Sequence, residues 1–285
     1  AASLAPEFSL REPPMHAAAA SFTPLGTHEL PPPRGMLVAI DAEFVAVSRE
    51  LTRLDHRGKA VVLKPARLAL ARVSCVRGAG PMAGVPFIDS YIRQAEPVVD
   101  YLTRFSGLHP GDLDPSVSAH HITTMKATYI KLRQLADAGC RFVGHGLSKD
   151  FEIINLALPP EQVSRLPSAR PAAAPIGRPT RTSTRTRRAR QILDTVELFY
   201  IPGSRRISLR FLAWHLLGVS MSNRLQDVHD SIEDARTALA LYDKYVELEA
   251  EGNLDDTVQQ LYEIGRDTNW EVHDEPVEAP VQYGA

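Results

Sequence analysis

Apolar residues run from Leu37 to Val45 (LVAIDAEFV), broken only by two acids two positions apart, Asp41 and Glu43. In a strand, residues i and i+2 point to the same face. The pattern therefore predicts a buried central strand that delivers both carboxylates to one point of a cleft. Ser48 to Lys64 mixes charge with a turn around Asp55–Gly58 and reads as a hairpin or loop. Ala66–Val76 alternates as a strand does, Gly78–Gly84 is a turn, and Val85–Ile92 is a third strand. Three strands in sequence predict an antiparallel meander. After a Pro/Gly/Asp-rich loop, Ser118 to Ala138 carries helical spacing, with Ile122, Met125, Tyr129, Leu132, Leu135 and Ala136 near one face and Gly139 placed to end the helix. A short strand (Cys140–Gly144), a helix (Leu147–Leu158), a strand (Ile192–Phe199) and helices over Ser208–Leu217, Ser231–Ala250 and Asn253–Ile264 follow. A meander and then alternating strands and helices predict an α/β fold, a mixed sheet with helices on its faces.

Composition changes this picture at the ends and in one internal stretch. Residues 1–35 hold seven prolines and little apolar periodicity, as a linker or arm would. Residues 159–190 are rich in Pro, Ala, Arg and Thr and read as a low-complexity insertion. From Glu161 to Arg190 there are eight arginines and one acid, so against a net charge of −2 the rest of the chain carries −9. Such a segment holds a polyanion near an acidic cleft or is a solvated loop. Cys75 and Cys140 are too few for a disulfide framework, and reduced thiols imply an intracellular, cytoplasmic setting. No apolar run is long enough to cross a bilayer, so no membrane partner is expected, and no signal peptide is visible. The chain begins at Ala1 and reads as a piece of something longer.

Two carboxylates held as close as Asp41 and Glu43 repel unless they are protonated or bridged by a cation. Hard divalent ions favour such oxygen ligands. Two further acids stand at helix starts. Asp150 lies in GHGLSKD, where Ser148 is a candidate N-cap. Asp234 lies in HDSIEDA, where Ser231 with Asp234 fits a capping box. Helix-dipole chemistry alone explains either acid. It does not explain His229, five residues before Asp234 in the preceding loop, where a histidine is well suited to accept a proton from water. Together, four carboxylates are enough to hold two divalent ions about 4 Å apart, as in two-metal phosphodiester cleavage.

These pieces resemble the DEDDh branch of 3′→5′ exonucleases. Asp41 and Glu43 match the first motif, Asp150 the second, and His229 with Asp234 the third. AIDAEFV, PVVDYLTRFSG, VGHGLSKDF, DTVELFYIPGSRRISLRFLAW and VHDSIEDARTAL are similar to the nuclease domains of the catalytic subunits of poly(A) nuclease (PAN) deadenylase complexes. The resemblance implies a ribonuclease H-like mixed sheet, an antiparallel meander and then parallel strands flanked by helices. It implies an exonuclease domain over 36–250, with the Arg-rich insertion inside it and a C-terminal helix and tail over 251–285. It also implies two divalent ions, Mg²⁺ or Mn²⁺, on Asp41, Glu43, Asp150 and Asp234, with His229 as base. The implied activity is removal of mRNA poly(A) tails from the 3′ end as 5′-AMP. Implied partners are poly(A) RNA, the regulatory subunit of the PAN complex and, indirectly, poly(A)-binding protein. Phe105 and Ser106 fall in the segment that lines the terminal nucleotide's pocket in similar enzymes, where base stacking contributes about 1–3 kcal/mol. Asp194 and Glu197 are assigned to structure, and Phe44, on the opposite face from Glu43, to the core. A general RNA or DNA 3′-end trimming exonuclease and a non-catalytic RNA-binding scaffold stay open as alternatives.

Overall fold

The computed structural model describes residues 22–158, 191–221 and 229–272. The Arg-rich stretch and the C-terminal tail from residue 273 lie outside the described residues. The strands are β1 (Leu37–Ser48), β2 (Leu51–Leu54), β3 (Ala60–Lys64), β4 (Arg67–Arg77), β5 (Pro86–Ile92), β6 (Ile122–Thr123), β7 (Arg141–Gly144) and β8 (Ile192–Asp194). The helices are α1 (Thr103–Ser106), α2 (Met125–Asp137), α3 (Leu147–Ile154), α4 (Thr195–Leu198), α5 (Leu209–Leu212), continued by a π-turn over Ala213–Leu217, then α6 (Ser231–Glu251) and α7 (Leu254–Asp267).

Six strands form one sheet in the order β6-β5-β4-β1-β7-β8. The expected meander is its first half: β1 pairs antiparallel with β4, and β4 with β5. The later strands add in parallel, β6 on β5, β7 on β1 and β8 on β7. The stretch after β1 is a separate two-stranded hairpin, β2-β3, that stands exposed beside the sheet.

Two apolar layers sandwich the sheet. On one face Val38, Ile40 and Phe142 pack with Leu132, Leu135 and Ala136 of α2 and Leu147, Phe151 and Ile154 of α3, and Phe44 joins them as expected. On the other, Ala39, Val76, Val143 and Leu193 pack with Ala235 and Leu239 of α6. The far side of α6 (Leu241, Tyr245, Leu248) is covered by Phe211, Leu212 and the Val258, Leu261 and Tyr262 stripe of α7.

Local chemistry shifts several expected boundaries. The helix expected from Ser118 begins only at Met125, because Ile122 and Thr123 pair with Tyr91 and Ile92 at the sheet edge and the Thr124 side chain caps the helix. The strand expected to run to Phe199 stops at Asp194, whose side chain accepts from Val196 N–H and starts α4. The cap of α3 is Gly146 in a left-handed conformation (φ +88°), not Ser148. The cap of α6 is Asp230, which accepts from Ile232 and Glu233, not Ser231, whose hydroxyl is buried 2.6 Å from that of Ser74.

Candidate active site

The register of β1 positions the first two acids. Ala39 lies beneath α6, and the period of two that puts it there puts Asp41 and Glu43 on the same face. β1 pairs with β7 only over Leu37–Ala39. Gly144, the last residue of β7, still abuts Ile40, and the acids follow just past the end of that pairing. Asp234, on the first turn of α6, completes a trio. One carboxylate oxygen from each of Asp41, Glu43 and Asp234 lies within 4.8 Å of the others, with Glu43 and Asp234 buried and Asp41 half-buried.

Asp150 is not within that trio. It rides on α3, just past the end of β7, close enough for its charge to raise both Asp41 and Glu43. Gly144 makes the approach possible, since a Cβ there would lie 2.6 Å from the Ile40 carbonyl oxygen and 2.4 Å from Leu147 Cδ2. The turn into α3 is held by Asp194, whose Oδ1 accepts from Gly146 N–H at 2.8 Å. The structural reading of Asp194 thus agrees with what its carboxylate touches. His145, between those glycines, has Nδ1 2.9 Å from Thr195 Oγ1, and burial pushes its pKa down to about 4, so the ring is neutral.

The electrostatics are those of a cluster short of positive charge. Burial, and then the charges of Glu43, Asp234 and Asp150, hold the Asp41 carboxyl well above the usual carboxylate range. Burial and the Asp234 charge push Glu43 up to about 8, against the pull of His229 and Arg72. Burial and Asp194 push Asp150 up to about 7. Three carboxyls disfavoured as anions until a cation arrives, with Asp234 beside two of them, suit a hard divalent metal. His229 stands half exposed at the cleft, with Nδ1 2.9 Å from Asp234 Oδ2. Asp41, Glu43, Asp234 and His229 thus stand together, and Asp150 is near enough for its charge to reach the first two.

Phe105 and Ser106 lie beside the same strand. Ala46 N–H donates to Asp100 O and Val99 N–H to Ala46 O, both at 2.8 Å, which lays the segment carrying α1 along the end of β1 three residues past Glu43. Phe105 is 67% exposed. Ser106 is buried, and its hydroxyl donates to Tyr101 O (2.7 Å) and accepts from Leu108 N–H (3.1 Å), so it shapes the loop from inside. Two residues that the motifs did not bring forward also border the site, Arg72 and Asp230. An arginine in the middle of the apolar strand ARLALARVSCV was the sequence signal for the first; the second stands directly before Ser231, which the capping-box spacing favours.

A family model described as Exonuclease (RNase_T) matches residues 38–242, most of the chain. Among curated relatives, the catalytic subunit PAN2 of the PAN2-PAN3 deadenylation complex from Gallus gallus is 45% identical over 270 residues, covering 93% of this chain and 20% of that protein. Its counterpart in Schizosaccharomyces pombe is 47% identical over 244 residues, 85% of this chain and 19% of that one. The chain thus spans about a fifth of the length of these relatives. Among solved structures, the pseudoubiquitin hydrolase-RNA exonuclease module of Saccharomyces cerevisiae Pan2 is similar at a TM-score of 0.69 and 38% identity, covering 89% of this chain and 35% of that one. The same module in complex with A7 RNA matches at 0.69 and 39%, covering 88% and 35%. The sheet order, its parallel and antiparallel halves and the flanking helices are the ribonuclease H-like arrangement of those modules, and the chain belongs to the exonuclease family.

Proposed function

We propose that this chain is the catalytic domain of a two-metal-ion 3′→5′ exoribonuclease that shortens poly(A) tails and releases 5′-AMP. The observation that carries the reading is the convergence of Asp41, Glu43 and Asp234 within 4.8 Å, with His229 hydrogen-bonded to Asp234, in a member of the exonuclease family. In this reading Asp41, Glu43, Asp150 and Asp234 hold the divalent ions, Mg²⁺ with Mn²⁺ as a substitute. Bound there, such ions supply Lewis-acid activation of water and charge neutralisation at the leaving 3′-oxygen.

The chain's own groups do the rest. A neutral His229 that donates Nδ1–H to Asp234 keeps Nε2 as the acceptor for the proton of the attacking water. Asp234, buried on the first turn of its helix, fixes that tautomer and the ring's orientation. The exposed ring of Phe105 stacks on the terminal base, with Ser106 holding its loop in shape. RNA specificity and adenine preference come to this reading from relatives named for deadenylation and from the related module bound to A7 RNA. The same names support a regulatory subunit of the PAN3 kind as partner. Poly(A)-binding protein as an indirect partner, and the cytoplasm as location, belong to the same proposal; among the described residues no helix is long and apolar enough to cross a membrane.

The test is digestion of 3′-terminal oligo(A), oligo(U) and oligo(dA) in Mg²⁺, with products resolved by length and mononucleotide. Stepwise shortening of oligo(A) with 5′-AMP release is the expected result. Internal cleavage or 3′-phosphate products would overturn the mechanism, and equal rates on oligo(dA) would overturn the RNA assignment.

A further inference from the structure

Arg72 stands in the middle of β4, opposite Glu43, with its side chain 8% exposed. Its Nε and Nη2 donate to the two oxygens of Asp89 on β5, at 2.8 and 3.3 Å. Its Nη1 donates to Asp230 Oδ2 at 3.1 Å. The Tyr91 ring packs against the guanidinium with its centroid 4.8 Å away, and Ser74 Oγ donates to Asp89 Oδ1 at 3.0 Å. Asp230 in turn caps α6 with its other oxygen, and its carbonyl accepts from Asp234 N–H at 2.9 Å. A residue adjacent to His229 is thus tied to the sheet on one side and to the turn carrying Asp234 on the other.

Stability alone does not account for this arrangement. The body of α6 is already held by Ala235 and Leu239 against Ala39, Val76 and Val143. A buried ion pair adds little net stability, because desolvation offsets most of the Coulomb gain, and its better-attested use is to fix one geometry. A planar guanidinium locked in a fork on Asp89 presents Nη1 in a single direction. Asp230 has to meet that direction, and the backbone of His229 follows. Burial would raise the Asp230 carboxyl, but the charge and hydrogen bond of Arg72 outweigh it and hold the group below its ordinary range.

We propose that Arg72, acting through Asp230, is a positioning residue for His229: it sets the imidazole against Asp234 and the β1 carboxylates while touching neither substrate nor metal. This rests on the general-base role given to His229 above. Outer partners of catalytic groups typically contribute about 10–100-fold when removed.

The test compares Arg72→Met and Asp230→Asn with the wild type. Asparagine caps a helix about as well as aspartate, so the second variant keeps the cap and loses the pair should the first fail to fold. In metal-free protein with ¹⁵N-labelled histidine, the His229 ring signals are assigned by their loss in His229→Ala. The expected result is that Asp230→Asn moves those signals and lowers kcat on oligo(A) about 10–100-fold with KM changed by no more than about twofold. Added to His229→Ala, Asp230→Asn should lower kcat no further, because two residues acting as one unit are not additive. Unmoved ring signals, or losses that multiply in the double variant, would overturn the proposal. The ring signals report on Arg72 whether or not RNA is degraded, so a wild type inert on oligo(A) would remove the proposed function and leave this question decided.

Discussion

At the scale of single residues, Asp41, Glu43 and Asp150 share one physical condition: each would be better placed with a cation nearby. Asp41 is the sharpest case, since its carboxyl is raised by burial and by three other carboxylates. Asp41→Asn removes one of the repelling charges, so the metal-free variant should melt no lower than wild type. It should also lose the rise in Tm that Mg²⁺ gives the wild type and retain no measurable cleavage. Melting curves with and without Mg²⁺, beside an oligo(A) digest, check all three. His229 differs in kind, being half exposed and hydrogen-bonded to Asp234. His229→Ala should lower kcat about 10²–10⁴-fold with KM nearly unchanged, because the proposed role is on the attacking water and not on the bound strand. A pure KM effect in steady-state kinetics would make it a binding residue instead.

At the scale of elements, legibility followed how local the governing physics was. β1 was readable because its period of two and its acids occupy the same nine residues. The sequence alone does not separate Asp230 from Ser231 as the cap of α6, because both residue types cap helices and only the β4 partners, Arg72 for one and Ser74 for the other, distinguish them. The edge strand β6 carries a helical pattern in the sequence because Ile122 fits the apolar stripe of α2, while its pairing partner Tyr91 lies far away in sequence. The histidine and acids of the site were recognisable from spacing, whereas the role of Gly144 was not, because its constraint comes from a carbonyl on another strand. Gly144→Ala puts a methyl 2.6 Å from the Ile40 oxygen. Leu147 can rotate away, but β1 cannot without shifting the residue before Asp41. The expected loss of stability is about 1–3 kcal/mol by overpacking. Activity per folded molecule should fall as well, which kinetics corrected by the folded fraction from denaturant melts will measure.

At the scale of the whole molecule, the sheet has a carboxylate-bearing end and an anchoring end. β4 links them: Arg72 faces the site, and Arg77, five residues on, lies roughly 17 Å away at the rise of a strand. Arg77 gathers the segment before β1. It donates to both oxygens of Glu29 at 2.8 and 2.9 Å and to the carbonyls of Thr23 and Pro24, while Thr23 N–H donates to Pro86 O. The described part of the proline-rich arm is thus fastened to the sheet, with Leu25 packed on the core. Hydrogen bonds from Arg77, then from Gly26 N–H, push the Glu29 carboxyl down to about 2. A carboxyl depressed on folding contributes stability that is present above its unfolded pKa, near 4.5, and lost as pH falls through about 2. Glu29→Gln should therefore lower the melting temperature at pH 7, and the gap to wild type should close steadily as the pH falls from 4.5 towards 2. Because Glu29 lies at the end remote from the carboxylates, kcat per folded molecule at pH 7 should equal that of wild type. Melting curves across that pH range and oligo(A) kinetics at neutral pH are the measurements. A gap independent of pH would show that the pair contributes nothing through its charge, and a lowered kcat would show that the arm reaches the site through the length of β4.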